Sequence, residues 1–180
     1  METKTCIETR RSVRKFTDQS VTPEVLEQIV ATAAWAPSWK NTQVVRYHAV
    51  CTKEIKDRIA EEGVLDFAWN TKIIQGAPVL VVMTIVTGRS GFEKDGSFST
   101  SKETHWQSFD AGIAAQTFCL AAHDLGLGSV ILGVIDEAAV KGILNLPEEE
   151  EIAALIPLGY PAEEPKAPRR KAVADLLTIS

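Results

Sequence analysis

Apolar side chains fall into three patterns along the chain, and each predicts a different element. Behind Thr22 and Pro23, the residues Leu26, Ile29, Val30 and Ala33 recur every three to four positions, as in a helix with one buried face. Thr22 offers a capping hydroxyl, Pro23 tolerates the first helical position because its missing N–H costs nothing there, and Pro37 limits the run. Residues 44–50 are rich in β-branched and aromatic side chains and predict a strand. Ile55 and Ile59 share one face of a short charged helix that Gly63 ends, and residues 65–75 predict another, stopped by Gly76-Ala77-Pro78. Residues 78–86 are apolar without alternation, the mark of a central strand covered on both faces.

Periodicity then stops. Residues 88–102 mix glycine, serine and charge, and predict a functional cover or a disordered loop that moves freely when no ligand is present. A helix resumes at His105 and runs to near Leu125, with almost no charge between Phe109 and Ala122. A helix apolar nearly all round must be buried all round, so a second subunit is expected to supply part of the cover, with Ala111, Gly112, Ala114 and Ala115 permitting close approach. Strands are predicted over 129–135 and 153–159, separated by a short helix around 137–144. An extended tail follows, holding Pro161, Pro165, Pro168 and the basic triplet Arg169-Arg170-Lys171. The sum is one α+β domain over residues 1–180, with about four strands, several helices and a tail lacking a local place to pack.

Charge and composition narrow the function. A net charge of −5 over 180 residues argues against a general nucleic-acid or anionic-membrane binder. Cys6, Cys51 and Cys119 are odd in number and far apart, which fits a reducing compartment, and the charged N-terminus without an apolar core predicts a cytoplasmic protein. The apolar run at 77–86 is strand-length, so no membrane span is expected. His48, His105 and His123 make no metal-ligand spacing.

Against that acidic background, residues 10–16 (Arg-Arg-Ser-Val-Arg-Lys-Phe) concentrate four cations around one serine. Either a solvated helix end or a phosphate site accounts for them. Other chemistry is thin. Gly126-Leu-Gly-Ser-Val-Ile-Leu-Gly133 precedes a predicted strand instead of following one and lacks the G-x-G-x-x-G spacing of a dinucleotide site. No P-loop and no strained nucleophile elbow is present. His48 reads as an ordinary strand histidine and Cys119 as a small buried hydrophobe. A chain with anion-binding clusters and no evident nucleophile or acid–base pair points to chemistry carried by a cofactor.

Five segments in order decide which. Residues 10–16, Ala33-Ala-Trp-Ala-Pro-Ser-Trp-Lys-Asn-Thr-Gln43, 67–82, 124–133 and 158–171 together resemble the FMN-dependent nitroreductase family over essentially the whole chain. The resemblance implies an α+β fold with a central, mainly antiparallel sheet flanked by helices, in an intertwined homodimer with FMN at the interface and both subunits contributing to each site. It implies an oxidoreductase passing hydride from NADH or NADPH to a small planar acceptor such as a nitroaromatic or quinone. A specialised dehydrogenase or dehalogenase of the same fold, or a flavin-storage protein, are the alternatives.

By the same motifs, Arg10 and Ser12 hold the FMN phosphate and Arg14 lies against the pyrimidine side of the ring, where a cation favours the reduced flavin. Arg11 and Lys15 stay solvated. Pro37, Ser38, Trp39, Asn41 and Gln43 approach the flavin from the partner subunit, with Trp39 setting acceptor selectivity. Asn70 bonds the pyrimidine edge, while Ile73 stands where many relatives place a cation. Ile131, Leu132 and Gly133 run over the flavin face, and Arg169 or Arg170 completes the phosphate grip. No protein side chain is expected to act as catalytic nucleophile or acid. Phe92 and Phe98, in the short 88–102 loop, are expected to border a shallow acceptor site.

Overall fold

The computed structural model describes Met1–Ser180. Four strands, β1 (Val45–Val50), β2 (Val79–Val86), β3 (Gly128–Ser129) and β4 (Glu150–Gly159), form one antiparallel sheet in the order β1-β2-β4-β3. Six helices flank it: α1 (Thr3–Thr9), α2 (Pro23–Ala33), α3 (Lys53–Glu62), α4 (Ala68–Gly76), α5 (His105–Asp124) and α6 (Glu137–Leu144).

The unbroken apolar run of β2 has a direct cause. Val79, Val81, Met83 and Ile85 face α2 and α5, where they meet Ile29, Phe118 and Ala122, while Leu80 and Val82 face Ile59 of α3, Ile73 and Ile74 of α4 and Val140 of α6. Strand periodicity sends alternate side chains to two separate cores, so neither face can be polar. Tyr47 of β1 stacks on Phe118 at 5.3 Å between ring centres, and burial pushes its phenol up to about 12.

Several expectations need correction. Helix α1 was not legible: only Cys6 of it is buried, and its start is held by the Glu2 carboxylate accepting from Thr5 N at 2.9 Å. Thr22 makes no capping side-chain bond, although Pro23 stands at the start of α2 as expected. The strand expected over 129–135 shrinks to Gly128–Ser129 plus a single bridge at Leu132, whose N–H and C=O both pair with Leu155. Ile131 and Val134 are exposed on either side of it, so no second row of side chains draws this stretch onto β4. On α5, Ala111, Ala114 and Ala115 are buried within their own chain, leaving Gly112 outward with Phe109, which is 59% exposed.

The 88–102 loop is not structureless. Ser99 N donates to Gly91 O and Glu93 N to Ser97 O, both at 2.8 Å, and Phe92 packs on Phe98. Trp106 Nε1 donates to Thr100 Oγ1 at 2.8 Å, and Lys40 pairs with Glu93 at 2.9 Å. These bonds close the segment on itself and fasten it to α5.

Candidate functional site: a cationic cleft and a distant turn

The basic segment leaves α1 at Arg10 and lies down on the sheet edge. Ser12 bridges Ser129 in parallel, and Val13 N donates to Ser129 O at 3.0 Å. Gly128 makes this contact possible: a Cβ there would stand 2.7 Å from Val13 Cβ. Gly128 therefore serves the close approach of Val13 to β3, while Gly126 just before the strand has open space around it at a φ of +81°.

The tail then zips onto the same segment. Thr17 N donates to Tyr160 O and Ala162 N to Lys15 O, both at 2.9 Å, and Arg14 N donates to Glu163 Oε1 at 3.1 Å. Two basic segments about 150 residues apart in sequence thus border one cleft of about 300 Å³, lined by Arg10, Arg11, Ser12, Arg14, Lys166 and Arg170 among others. Arg170 lines it and Arg169 does not, while Arg11, expected to be solvated, and Lys166, not singled out by the sequence, join it.

None of these cations forms an ion pair within the chain, although the Glu163 carboxylate accepts from the backbone N–H of Arg14. Six ion pairs form, and none includes Arg10, Arg11, Arg14, Lys166, Arg169 or Arg170. Arg11 instead donates to the carbonyls of Glu8 and Arg10, at 2.7 and 2.8 Å, and Arg14 to that of Ser12 at 3.2 Å. Their field reaches inward: burial first, then Arg10 and Arg11, hold the His123 imidazole below its ordinary value. Guanidinium forks and a serine hydroxyl with unspent donors suit a phosphate monoester, so the donor set fits the phosphate end of FMN.

Asn70 and the Ile131–Gly133 stretch lie on the side of the sheet that also packs Phe16. Asn70, in the first turn of α4, is 4% exposed. Ile73, where relatives place a cation, is buried in the second core beside Val130 and Leu132. Leu132 is buried as well, leaving Ile131 and Gly133 at the surface. Two exposed aromatics, Phe67 and Trp69, lie just before Asn70 in the chain. Both fall in the 67–82 segment that carries the resemblance, and their nearness to that amide is the signal in the sequence that marks them.

Pro37, Ser38, Trp39, Asn41 and Gln43 are elsewhere. Their turn sits at the start of α5, where Trp39 N donates to Asp110, and Pro37, Ser38 and Gln43 border an open cavity of about 320 Å³ with Ala33, Tyr47 and Asp110. The end of α1 that leads into Arg10 meets the far end of α5, with Thr9 Oγ1 2.9 Å from His123 Nε2, thirteen residues beyond Asp110 and about 20 Å along the helix axis. One chain does not bring the two halves of the motif together.

No cluster of three or more His, Cys, Asp or Glu side chains is placed to hold a metal, and no helix is long and apolar enough to cross a membrane.

The sheet and its flanking helices define an α+β protein with a cationic cleft at the sheet edge. The chain belongs to the nitroreductase family, whose sequence model matches residues 7–67 and 64–160. A Methanothermobacter thermautotrophicus protein, provisionally named NADH dehydrogenase/NAD(P)H nitroreductase, is 36% identical over 92% of this chain and 80% of its own. The iodotyrosine deiodinase of Nematostella vectensis is 26% identical over 94% of this chain and 72% of its own. Among solved structures, a provisionally named nitroreductase of Desulfovibrio desulfuricans in complex with FMN superposes with a TM-score of 0.79, at 29% identity over 100% of this chain and 97% of that one. The family is one of enzymes, and its helix-flanked antiparallel sheet is the one described above.

Proposed function

We propose that the protein is an FMN-dependent oxidoreductase, working as a homodimer, that takes hydride from NADH or NADPH and reduces a small planar acceptor such as a nitroaromatic or a quinone. FMN, when bound, supplies the hydride acceptor and donor. The protein's own residues bind and orient. Arg10, Ser12 and Arg170 take the phosphate oxygens, with Arg11 and Lys166 adding positive charge at the rim. Arg14 sets positive charge toward the ring, and Asn70 offers an amide able to donate and accept at its edge. Ile131 and Gly133 contribute exposed backbone, and Phe67 and Trp69 offer apolar faces to an aromatic acceptor.

The single observation that carries this reading is the cleft itself: two remote basic segments are zipped together around cations that form no ion pair within the chain. The separation of the Pro37–Gln43 turn from that cleft supports homodimerisation, since a second copy can bring its turn to the first copy's cleft. Exposed Val173, Leu176, Leu177 and Ile179 in the tail, with Phe109 on α5, supply apolar surface for it. Purified protein titrated with FMN is expected to bind one FMN per chain and to oxidise NADH or NADPH when a quinone is added. Absence of binding at excess FMN refutes the proposal.

Similarity to a deiodinase supports a second reading, a reductive dehalogenase that pyridine nucleotides reduce poorly. Steady-state turnover separates the two: a dehalogenase turns over slowly with both nucleotides, yet its flavin reacts with a halogenated phenol after chemical reduction.

A further inference from the structure

We propose that Asp110 is a positioning residue of the site, holding the Pro37–Gln43 turn and the 88–102 loop in one fixed arrangement; this rests on the proposed function, in which that turn meets the partner's flavin. Asp110 lies on α5, is 2% exposed, and takes part in none of the six ion pairs. All its hydrogen-bond partners come from the two segments. Trp39 N donates to Oδ1 at 3.1 Å and to Oδ2 at 3.0 Å, and the hydroxyl of Ser90 donates to Oδ2. Ser90 is fully buried, and its Oγ lies 3.2 Å from Thr42 Oγ1, so the chain of contacts returns to the turn where it began.

The turn needs such an anchor. Lys40, Asn41 and Gln43 all adopt positive φ, at 44°, 55° and 48°, a crowded region for residues that carry a Cβ. Inside the turn, Gln43 N donates to Ser38 Oγ at 3.0 Å. Trp39 Nε1 is buried without a partner, so the indole is placed by its packing 4.6 Å from Trp106 and by its backbone N–H on Asp110. On the loop side, Gly91, at a φ of +85°, sits so close to the entry of α5 that a Cβ would be 2.5 Å from Glu103 O and 3.1 Å from Trp106 Cβ. Turn, loop and helix therefore meet at one carboxylate. Burying a carboxylate without a cation is costly, and a neutral apolar residue would serve packing alone at less cost. What the carboxylate adds is the capacity to accept from both segments at once.

The test compares full-length wild-type protein with Asp110→Asn, which keeps the volume but replaces one accepting oxygen by a donor, and with Ser90→Ala as a milder second variant. Hydrogen–deuterium exchange, the bound flavin's visible circular dichroism and acceptor KM are read on each. In Asp110→Asn, amides 39–43 and 88–92 are expected to exchange at least tenfold faster together, while those of β2 and β4 keep wild-type rates. The flavin spectrum changes, and acceptor KM rises at least fivefold. Ser90→Ala gives the same pattern, smaller. If Asp110→Asn also loosens β2 and β4, Ser90→Ala alone decides. Wild-type exchange in both segments overturns the proposal, and so does faster exchange with an unchanged flavin spectrum and KM, which would make the carboxylate merely structural. Wild-type protein that takes up no FMN overturns the proposed function and this inference with it. FMN binding by wild type that both variants match in every readout overturns the positioning role alone.

Discussion

Gly128→Ala tests whether the cleft depends on the close approach of the basic segment to the sheet edge. The added methyl would stand 2.7 Å from Val13 Cβ, 2.7 Å from Cγ2 and 2.9 Å from Cγ1. Carbon atoms pack at about 3.5–4.0 Å, so all three contacts are repulsive. Val13 cannot easily yield: it is buried, β-branched, and fixed through its N–H to Ser129 O. Overpacking of this kind costs about 1–3 kcal/mol, against which loss of glycine's freedom in the unfolded chain returns about 0.4–1 kcal/mol. If the chain relieves the clash by lifting residues 12–14 off β3, the cost is transferred from stability to the ligand. FMN affinity then falls by about 5- to 150-fold, the equivalent of 1–3 kcal/mol. Thermal unfolding of the FMN-free protein and calorimetric titration with FMN measure the two routes separately. Val13→Ala in the same chain removes two of the three contacts and is expected to recover part of the loss. Gly142→Ala is the control: it lies within α6 with nothing within 4 Å of the added Cβ, and is expected to be neutral or to stabilise by up to about 1 kcal/mol. Gly128→Ala with wild-type melting and wild-type FMN affinity would refute the reasoning.

Arg10→Ala is expected to weaken FMN binding by about 2 kcal/mol or more, measured by fluorescence titration, since a charge-assisted contact to the phosphate is lost. Arg14→Ala is expected to lower the bound flavin's reduction potential, with roughly 30 mV corresponding to about 1.4 kcal/mol for a two-electron couple; an unchanged potential removes that role. Phe109→Asp places a charge on the outward face of α5 and is expected to give a monomer by light scattering that retains the far-ultraviolet spectrum of the fold. Glu150 predicts an acid limb of stability. Burial pulls its carboxyl upward, but hydrogen bonds from Thr84 and His48, with Arg46 nearby, carry it below its ordinary value. A lowered folded-state value means the stabilisation is present above the unfolded value and disappears as pH falls through the folded one. Glu150→Gln should therefore flatten denaturant-unfolding free energy against pH below about 4.5, while an acid limb as steep as wild type's would exclude Glu150 as its source.

Elements whose burial repeats along the chain could be read from it. β2 is apolar at every position because two cores claim its alternate side chains, and α2 shows its single buried stripe in Leu26, Ile29, Val30 and Ala33. Elements held by a few specific contacts could not. α1 buries one residue, and β3 is two residues long because Gly128 and Ser129 are fixed by pairing with Gly159 and Leu158, distant partners that local periodicity does not report. The side of α5 that its own chain buries could not be read for a related reason. A helix apolar all round carries no phase, so its sequence could not tell that Ala115 faces Phe118's core while Phe109 faces outward.

The candidate site divides along the same line. Its charges were legible because four cations in seven residues of an acidic chain demand an explanation, and the tail's basic triplet offered a second half. Which cations converge was not: Arg170, Arg11 and Lys166 enter the cleft and Arg169 stays out, a choice made by the turn of an extended tail pinned at Lys15 and Thr17. Asp110 was invisible for the opposite reason. It is one acid in a helix, and its meaning lies entirely in the backbone N–H of Trp39 and the hydroxyl of Ser90, 71 and 20 residues away. Residues that meet a ligand advertise themselves by type. Residues that hold those in place are recognised only by what the fold brings to them.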